Sequence, residues 1–306
     1  MPISTEKNFE EKFNLFKEWL TQQDNFTSKD MIITANESSL ASGFSNETFI
    51  FNIKEKNISK NYVLRLKPSN YQVFPEYNLK LQVDIMRCLH KRGFPAPNVI
   101  LYESNDDILG SEFYLMDFIN GEAPSDNPPY HMDPEGMVGK ASKDERRKIW
   151  TEWLNYLSQI HIINIDEINL NILDDKYRNN DPIDIDISYY QNFLDWGMDG
   201  EDNPLCNDVI KWLRENKPKK HNALSLCWGD SRPGNILYQD FKATALLDWE
   251  MATYGDPISD IAWGLAVDDA SSIGLTIDRL EGSMEYDEAL DIWSKNTGFS
   301  VDNYDY

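Results

Sequence analysis

Cationic side chains are scarce in this chain: 29 Lys+Arg stand against 52 Asp+Glu in 306 residues, a formal net charge of −23. Such a balance argues against binding to a phosphate backbone or an anionic membrane surface, both of which need a basic face. Cysteine is scarce as well. Cys88, Cys206 and Cys227 are odd in number and unrelated in spacing, so they form neither a disulfide framework nor a zinc pattern. They read as ordinary thiols of a reducing cytoplasm. Long apolar runs are missing: none approaches the ~18 residues of a spanning helix. Met1 to Trp19 alternates charged with apolar residues and has no signal-peptide core. The expectation is a cytoplasmic protein with no nucleic-acid and no membrane partner.

What is present is enough for a core. Apolar residues make up 41% and aromatics 12%, which argues against disorder, and the length suits one large domain or two lobes. The acid is uneven, with 15 Asp+Glu against 3 Lys+Arg from Asp240 to Tyr306 and 11 against 2 from Asp166 to Asp202. Each stretch reads either as a solvated surface or as a field that attracts a cationic substrate.

Periodicity predicts a helix over Glu6 to Gln22, strands over Thr48 to Ile53 and Tyr62 to Leu66, and a helix over Glu76 to Lys91. A turn-rich segment, Ala41 to Asn46, precedes the first strand, and Val99 to Tyr102 and Phe113 to Ile119 read as two more. After Gly121 the character changes. Helical spacing marks Lys143 to Ile163, Tyr189 to Trp196, Val209 to Leu213, Ile258 to Val267 and Tyr286 to Trp293. Short strands are expected at Leu224 to Trp228, Ile236 to Tyr238 and Ala243 to Leu247. The pattern is a sheet-rich first part and a helix-rich second part, with no internal repeat.

The informative stretch runs from Leu226 to Leu237 and continues from Ala245 to Glu250. An apolar run delivers Asp230 to a loop with glycine at 229, a second begins right after Asn235, and a third ends at Asp248. Two hairpin-like strands would bring Asn235 and Asp248 to one end of a small sheet. Phosphoryl transfer needs such a set: a carboxylate to deprotonate the attacking hydroxyl, hard oxygens for Mg²⁺, and a fixed cation for the transferred group. Asp230, the pair Asn235 and Asp248, and Arg232 are the respective candidates.

The loop Asp230-Ser231-Arg232-Pro233-Gly234-Asn235 resembles the catalytic loop of protein-kinase-like folds. With Trp228-Gly229 before it, Leu247-Asp248-Trp249-Glu250 after it and Gly255 to Trp263 beyond, the chain resembles the aminoglycoside phosphotransferase family. The branch it most resembles includes kinase domains associated with acyl-CoA dehydrogenases. The resemblance extends from about Ser42 to Gly298 and implies an α+β, bilobal protein-kinase-like fold. A nucleotide-binding lobe would span 1–119, and a catalytic and substrate lobe 120–306. It further implies Asp230 and Arg232 as catalytic residues, Asn235 and Asp248 as Mg²⁺ ligands, and ATP as donor, with GTP the alternative. Ser42, Gly43, Ser45 and Asn46 would cover the donor phosphates. Arg65 stands at the kinase lysine position, and Met116, Asp117, Phe118 and Ile119 would receive the adenine.

This chain departs from the family pattern in several places. Arg65 replaces lysine, Gln82 occupies the position of its usual glutamate partner with Glu76 as a nearby substitute, and Trp228 stands where many members have histidine. Trp228 is expected to support the loop by packing, Asp260 to cap or brace it, and His161 to be a packing residue. Family members continue with further helices past Thr297-Gly298, so the C-terminal lobe is either short or incomplete here.

Three functions follow. The first is an ATP- and Mg²⁺-dependent kinase acting on a small-molecule hydroxyl, with an aminoglycoside or a hydroxyacyl thioester as acceptor. The second is a nucleotide-binding protein without turnover. The third is a phosphohydrolase built on Asp248, Asp256 and Asp260. An anionic acceptor would use the basic cluster Lys217, Lys219 and Lys220. Oligomeric state is not legible.

Overall fold

The computed structural model describes the backbone of 6–26, 28, 30–42, 46–68, 72–168 and 170–306, and the side chains of these residues apart from 6–9, 36–42 and 171–172. The chain divides into two compact units, one of 1–91 with 97–118 and the other of 92–96 with 119–306. Residues 92–96 belong with the second unit because Pro95 accepts a hydrogen bond from the Leu246 N–H (2.7 Å) and Phe94 packs on Tyr156.

The first unit opens with helix α1 (Glu6–Leu20), a short 3-10 turn at Asp24–Phe26 and strands β1 (Met31–Ser42), β2 (Glu47–Glu55) and β3 (Ile58–Leu66). Helix α2 (Leu79–Lys91) precedes β4 (Val99–Glu103) and β5 (Phe113–Asp117). The strands form one antiparallel sheet in the order β1-β2-β3-β5-β4. Strand β2 alternates, burying Phe49, Phe51 and Ile53. Phe13, Phe16 and Leu20 of α1 pack onto that face, with the Phe16 ring 5.0 Å from Phe51. In β5 four successive residues, Phe113 to Met116, are buried, as expected of a strand covered on both faces.

β3 starts at Ile58 rather than Tyr62 and β5 ends at Asp117 rather than Ile119, and β1 and α2 differ from expectation as well. Strand β1 was not anticipated: 34–39 lack alternation, and the register shifts between Ala35 and Leu40, so the pattern is broken by an irregularity. Helix α2 starts at Leu79 rather than Glu76 because the Asn78 side chain accepts from the Leu81 N–H (2.9 Å), a cap that sets the start.

The second unit contains α3 (Met137–Lys140), α4 (Lys143–His161), α5 (Asn171–Tyr177), α6 (Pro182–Met198) and α7 (Pro204–Glu215). Strands β6 (Ser225–Cys227), β7 (Ile236–Gln239), β8 (Lys242–Leu246) and β9 (Thr253–Gly255) follow, then helices α8 (Pro257–Ala270) and α9 (Tyr286–Thr297). β7 and β8 form a hairpin, and β6 pairs with β9. Starts are set by caps. Ser142 and Glu145 make a capping box for α4, while Asp181-Pro182, Asn203-Pro204 and Asp256-Pro257 place a capping side chain before a proline at the first turn. Helices α6 and α7 begin earlier than periodicity alone indicates, because their first turns are only partly buried and carry the cap instead of an apolar stripe.

A buried node fixes the far half of α8. Asp268, 1% exposed, accepts hydrogen bonds from the Tyr130 hydroxyl, His131 Nε2 (2.9 Å), Arg279 Nε (2.7 Å) and the Tyr286 hydroxyl (3.1 Å). Burial alone would raise the Asp268 carboxyl. The bonds from His131 and Tyr130 and the Arg279 charge outweigh it and hold the group below its ordinary value. Its contribution to stability is therefore present above the ordinary carboxylate range and is lost as pH falls through the lowered native value. Asp268→Ala, which leaves Arg279 without its buried partner, should cost about 3–5 kcal/mol in denaturant unfolding at pH 7. A loss below about 1 kcal/mol would contradict this role.

Candidate active site

The site grows from the end of β6, whose three residues are all buried. The chain then turns at Gly229, where φ is +88 and a Cβ would lie 2.1 Å from the Met251 carbonyl oxygen. Only glycine fits there. The turn is clamped by Asp260 of α8, whose carboxylate accepts from the N–H groups of Trp228 (2.7 Å) and Gly229 (2.9 Å). His161 Nε2 donates to the same carboxylate (2.9 Å), while its Nδ1 accepts from Trp293 Nε1 (2.9 Å), which assigns the proton to Nε2. Ser231 Oγ donates to the Asp260 carbonyl, and at Gly264 a Cβ would stand 2.3 Å from the Ser231 carbonyl, so α8 seats directly on the loop. His161, Cys227 and Asp260 bring a nitrogen, a sulfur and an oxygen within 4.8 Å of one another. The hydrogen bonds of His161 and Asp260 account for that trio without a metal.

Asp230 projects from this clamped turn with N–H donors on both carboxylate oxygens. Its Oδ2 accepts from Asn235 Nδ2 (2.7 Å), its Oδ1 from Trp263 Nε1 (2.8 Å), and Arg232 Nε spans both oxygens at 3.2 and 3.0 Å. Arg232 Nη1 reaches Asp126. Burial opposes the guanidinium charge, but Asp126 and Asp230 more than offset that and raise Arg232 above its ordinary value. Gly234 makes room, since a Cβ there would lie 2.5 Å from Arg232 Nη1.

Asn235 closes a 3-10 turn, Pro233–Asn235, and leads into β7. Its Nδ2 donates twice, to the Asp230 carboxylate and to the Asp230 carbonyl (2.8 Å), which turns Oδ1 away as the atom available to a cation. The Leu247 N–H donates to the Asn235 carbonyl (2.9 Å), so Asp248, in a left-handed conformation at φ +64, follows at the same end of the hairpin. Trp228 stacks on Trp249 with centroids 4.9 Å apart and donates Nε1 to the Leu247 and Asp248 carbonyls (2.8 and 3.2 Å). It was expected to support the loop by packing alone. It does so by hydrogen bonding as well, and its bonds hold the backbone at Asp248.

The remaining candidates lie mostly in the first unit. Arg65 of β3 pairs across from Tyr114, whose hydroxyl donates to Gln82 Oε1 (3.4 Å), so arginine and amide share one face of the sheet. Glu76 is exposed ahead of α2. Met116 and Asp117 end β5, with Asp117 bound by Lys60 Nζ (2.7 Å), and the Phe118 N–H makes a long bond to the Asn61 carbonyl (3.4 Å). Ile119 begins the long part of the second unit. Asn46 is buried, and Ser42 is the last residue of β1, paired with Glu47. Gly43 and Ser45 lie outside the described residues.

Two residues at Asp230 were missed. Trp263 stands three positions after Asp260 on α8, a spacing that places both on one helix face and was available in the sequence. Asp126 gives no signal, being 106 residues from Arg232 in a loop. A further group lies beside β9: burial pushes Asp186 up to about 7, against the charge of Lys176 and a hydrogen bond from the Tyr177 hydroxyl (3.5 Å).

A profile of the phosphotransferase enzyme family matches residues 37–291. Acyl-CoA dehydrogenase family member 11 of Homo sapiens is 28% identical over 228 residues, covering 72% of this chain and 26% of that protein. The Gallus gallus protein of the same name is 29% identical over 225 residues, covering 73% and 27%. The chain thus spans about a quarter of the length of these relatives. Among solved structures, Plasmodium vivax ethanolamine kinase superposes with a TM-score of 0.60 at 14% identity, over 98% of this chain and 76% of that one. Aminoglycoside-3'-phosphotransferase of type VIII gives 0.58 at 11% identity, over 96% and 94%. The streptomycin–ATP–APH(2")-IIa complex gives 0.56 at 15%, over 92% and 81%. These likenesses give the fold, a kinase-like α+β architecture. No helix among the described residues is long and apolar enough to cross a membrane.

Two outcomes follow from the geometry. Gly229→Ala should unfold the loop or the protein, lowering the melting temperature by several degrees; a variant as stable as wild type would contradict the close approach to Met251. Asp186 keeps its proton longer in the native state than in the unfolded chain, so stability should fall as pH rises from ~4 to 7 and level off above. Asp186→Asn should flatten that slope and gain about 1–3 kcal/mol at pH 8, measured by urea unfolding across pH.

Proposed function

Because the chain belongs to the phosphotransferase enzyme family, we propose that it is an ATP- and Mg²⁺-dependent small-molecule kinase that transfers the γ-phosphoryl group to a substrate hydroxyl. The observation that carries this reading is the Asp230 carboxylate, held by Arg232, Asn235 and Trp263 in a turn clamped by Asp260. A base so fixed loses little freedom when it meets the hydroxyl. Asp230 takes the hydroxyl proton as the oxygen bonds to the γ-phosphorus, the bond from that phosphorus to its bridging oxygen breaks, and ADP leaves.

Arg232 supplies the cation next to the base. Its bond to Asp126 is exposed on the carboxylate side, so a phosphate oxygen can replace Asp126 there. The donor set fits Mg²⁺: Asn235 turns its amide oxygen outward because its Nδ2 is committed, and Asp248 adds a carboxylate at the same hairpin end. When bound, the metal would neutralise charge on the phosphate oxygens. Arg65, with its fork of donors, would hold phosphate oxygens in place of the usual lysine. Ser42, Gly43, Ser45 and Asn46 would cover the phosphates, and the backbone from Met116 to Ile119 would receive the adenine. ATP is favoured over GTP as donor by the ATP named in the APH(2")-IIa complex.

The acceptor in this proposal is a hydroxyl-bearing small molecule. The basic cluster that an anionic acceptor would use is reduced, since Lys217 is bound to Asp181 (3.1 Å) and Asp184 (2.7 Å). A second reading, nucleotide binding without turnover, draws on Gln82, an amide on the face where an ion pair to Arg65 would form.

Calorimetry tests the donor site. ATP should bind the wild type only with Mg²⁺, and Asp248→Ala should weaken that binding by about 10-fold or more, the worth of ~1.4 kcal/mol. Binding indifferent to Mg²⁺ and to Asp248 would contradict the metal assignment. No binding by folded protein would contradict the kinase reading.

A further inference from the structure

We propose that Trp263 is a positioning residue for the transfer step, holding the Asp230 carboxylate in the rotation in which it accepts the substrate proton. This rests on the kinase reading of Asp230. The terminal torsion of an aspartate is soft and two-fold, so a carboxylate with donors on one side only can swing. Here the donors are divided. Asn235 takes Oδ2, Trp263 takes Oδ1, and Arg232 Nε bridges the two nearly evenly, favouring neither. In the proposed reaction a phosphate oxygen takes the place of Asp126 on Arg232 Nη1 and shares the guanidinium charge with Asp230. Asn235 and Trp263 then hold the carboxylate between them from opposite oxygens. Without the indole N–H, Oδ1 would keep only the longer arm of the arginine bond.

The setting of Trp263 differs from that of a packing tryptophan. Trp228 and Trp293, each 0% exposed, give their indole N–H to backbone carbonyls and to a histidine, whereas Trp263, 36% exposed, gives its own to a carboxylate. It lies one turn after Asp260 on α8, and the next residue, Gly264, lets the helix approach Ser231. One helix face thereby fixes the loop twice: Asp260 holds the backbone at Trp228 and Gly229, and Trp263 holds the side chain of Asp230.

The test has two arms. In protein with ¹⁵N-labelled tryptophan, Trp263→Phe identifies one indole N–H among the nine, and Asp230→Asn should shift that resonance while the other eight report an intact fold. In the second arm, water stands in for the acceptor hydroxyl, and hydrolysis of Mg²⁺-ATP is followed. Trp263→Phe should lower kcat about 10-fold, as expected for one hydrogen bond to a charged group, with KM for ATP unchanged. The same substitution in the Asp230→Asn background should cost nothing further. An indole resonance indifferent to Asp230→Asn, wild-type kcat in Trp263→Phe, or an equal loss in both backgrounds would each overturn the proposal. If wild-type protein turns over no ATP, the kinase reading fails in its own right, while the resonance still decides whether Trp263 holds Asp230.

Discussion

The loop that carries Asp230 hangs on one buried carboxylate. Asp260 is 3% exposed, and an ionised group at that depth is costly unless its lone pairs are filled. They are filled by two backbone N–H groups of the loop and by His161, whose other nitrogen is anchored to Trp293 of α9. Through that single group, α4, α8, α9 and the β6 end share one geometry. A two-residue segment that would otherwise carry orphaned N–H groups thereby becomes a fixed turn. The direction of Asp230 follows from the turn.

Close backbone approach does the rest. Gly229 passes Met251 and Gly264 passes Ser231, each at a main-chain distance that no side chain would allow, and Gly234 leaves room for the Arg232 guanidinium. Trp228 holds the carbonyls of Leu247 and Asp248 from the opposite side, so the residue before the loop also sets the proposed metal aspartate. Elements far apart in sequence meet here through main-chain groups, which makes the site insensitive to the identity of many surrounding side chains. That fits a chain that shares a fold with solved kinases at 14% and 15% identity.

Much of this was legible. The placement of Asp230, Asn235 and Asp248 just beyond strands could be read because apolar runs on either side fix where strands end, and a strand end is a local property. The long helix α4 and the buried strand β5 were legible for the same reason. Strand β1 was not, because its polar, non-alternating middle and shifted register leave no period to read. The early starts of α6 and α7 were written in Asp181-Pro182 and Asn203-Pro204, signals weaker to the eye than an apolar stripe. At the site, Asp126 was out of reach because its partner Arg232 is brought to it only by the tertiary fold. Trp263 lay within a recognised segment, but its role depends on the direction of one indole N–H, which no sequence pattern encodes.

The central claim is that Asp230 is a base in a preorganised transfer site and not merely an acidic residue in a kinase-like fold. The most direct measurement is Mg²⁺-dependent ATP turnover by Asp230→Asn beside wild type, with nucleotide binding followed in parallel. Loss of a general base costs about 10²–10⁴-fold, so the variant should bind Mg²⁺-ATP as wild type does and turn it over at least ~100-fold more slowly. Turnover by Asp230→Asn at the wild-type rate would contradict the account.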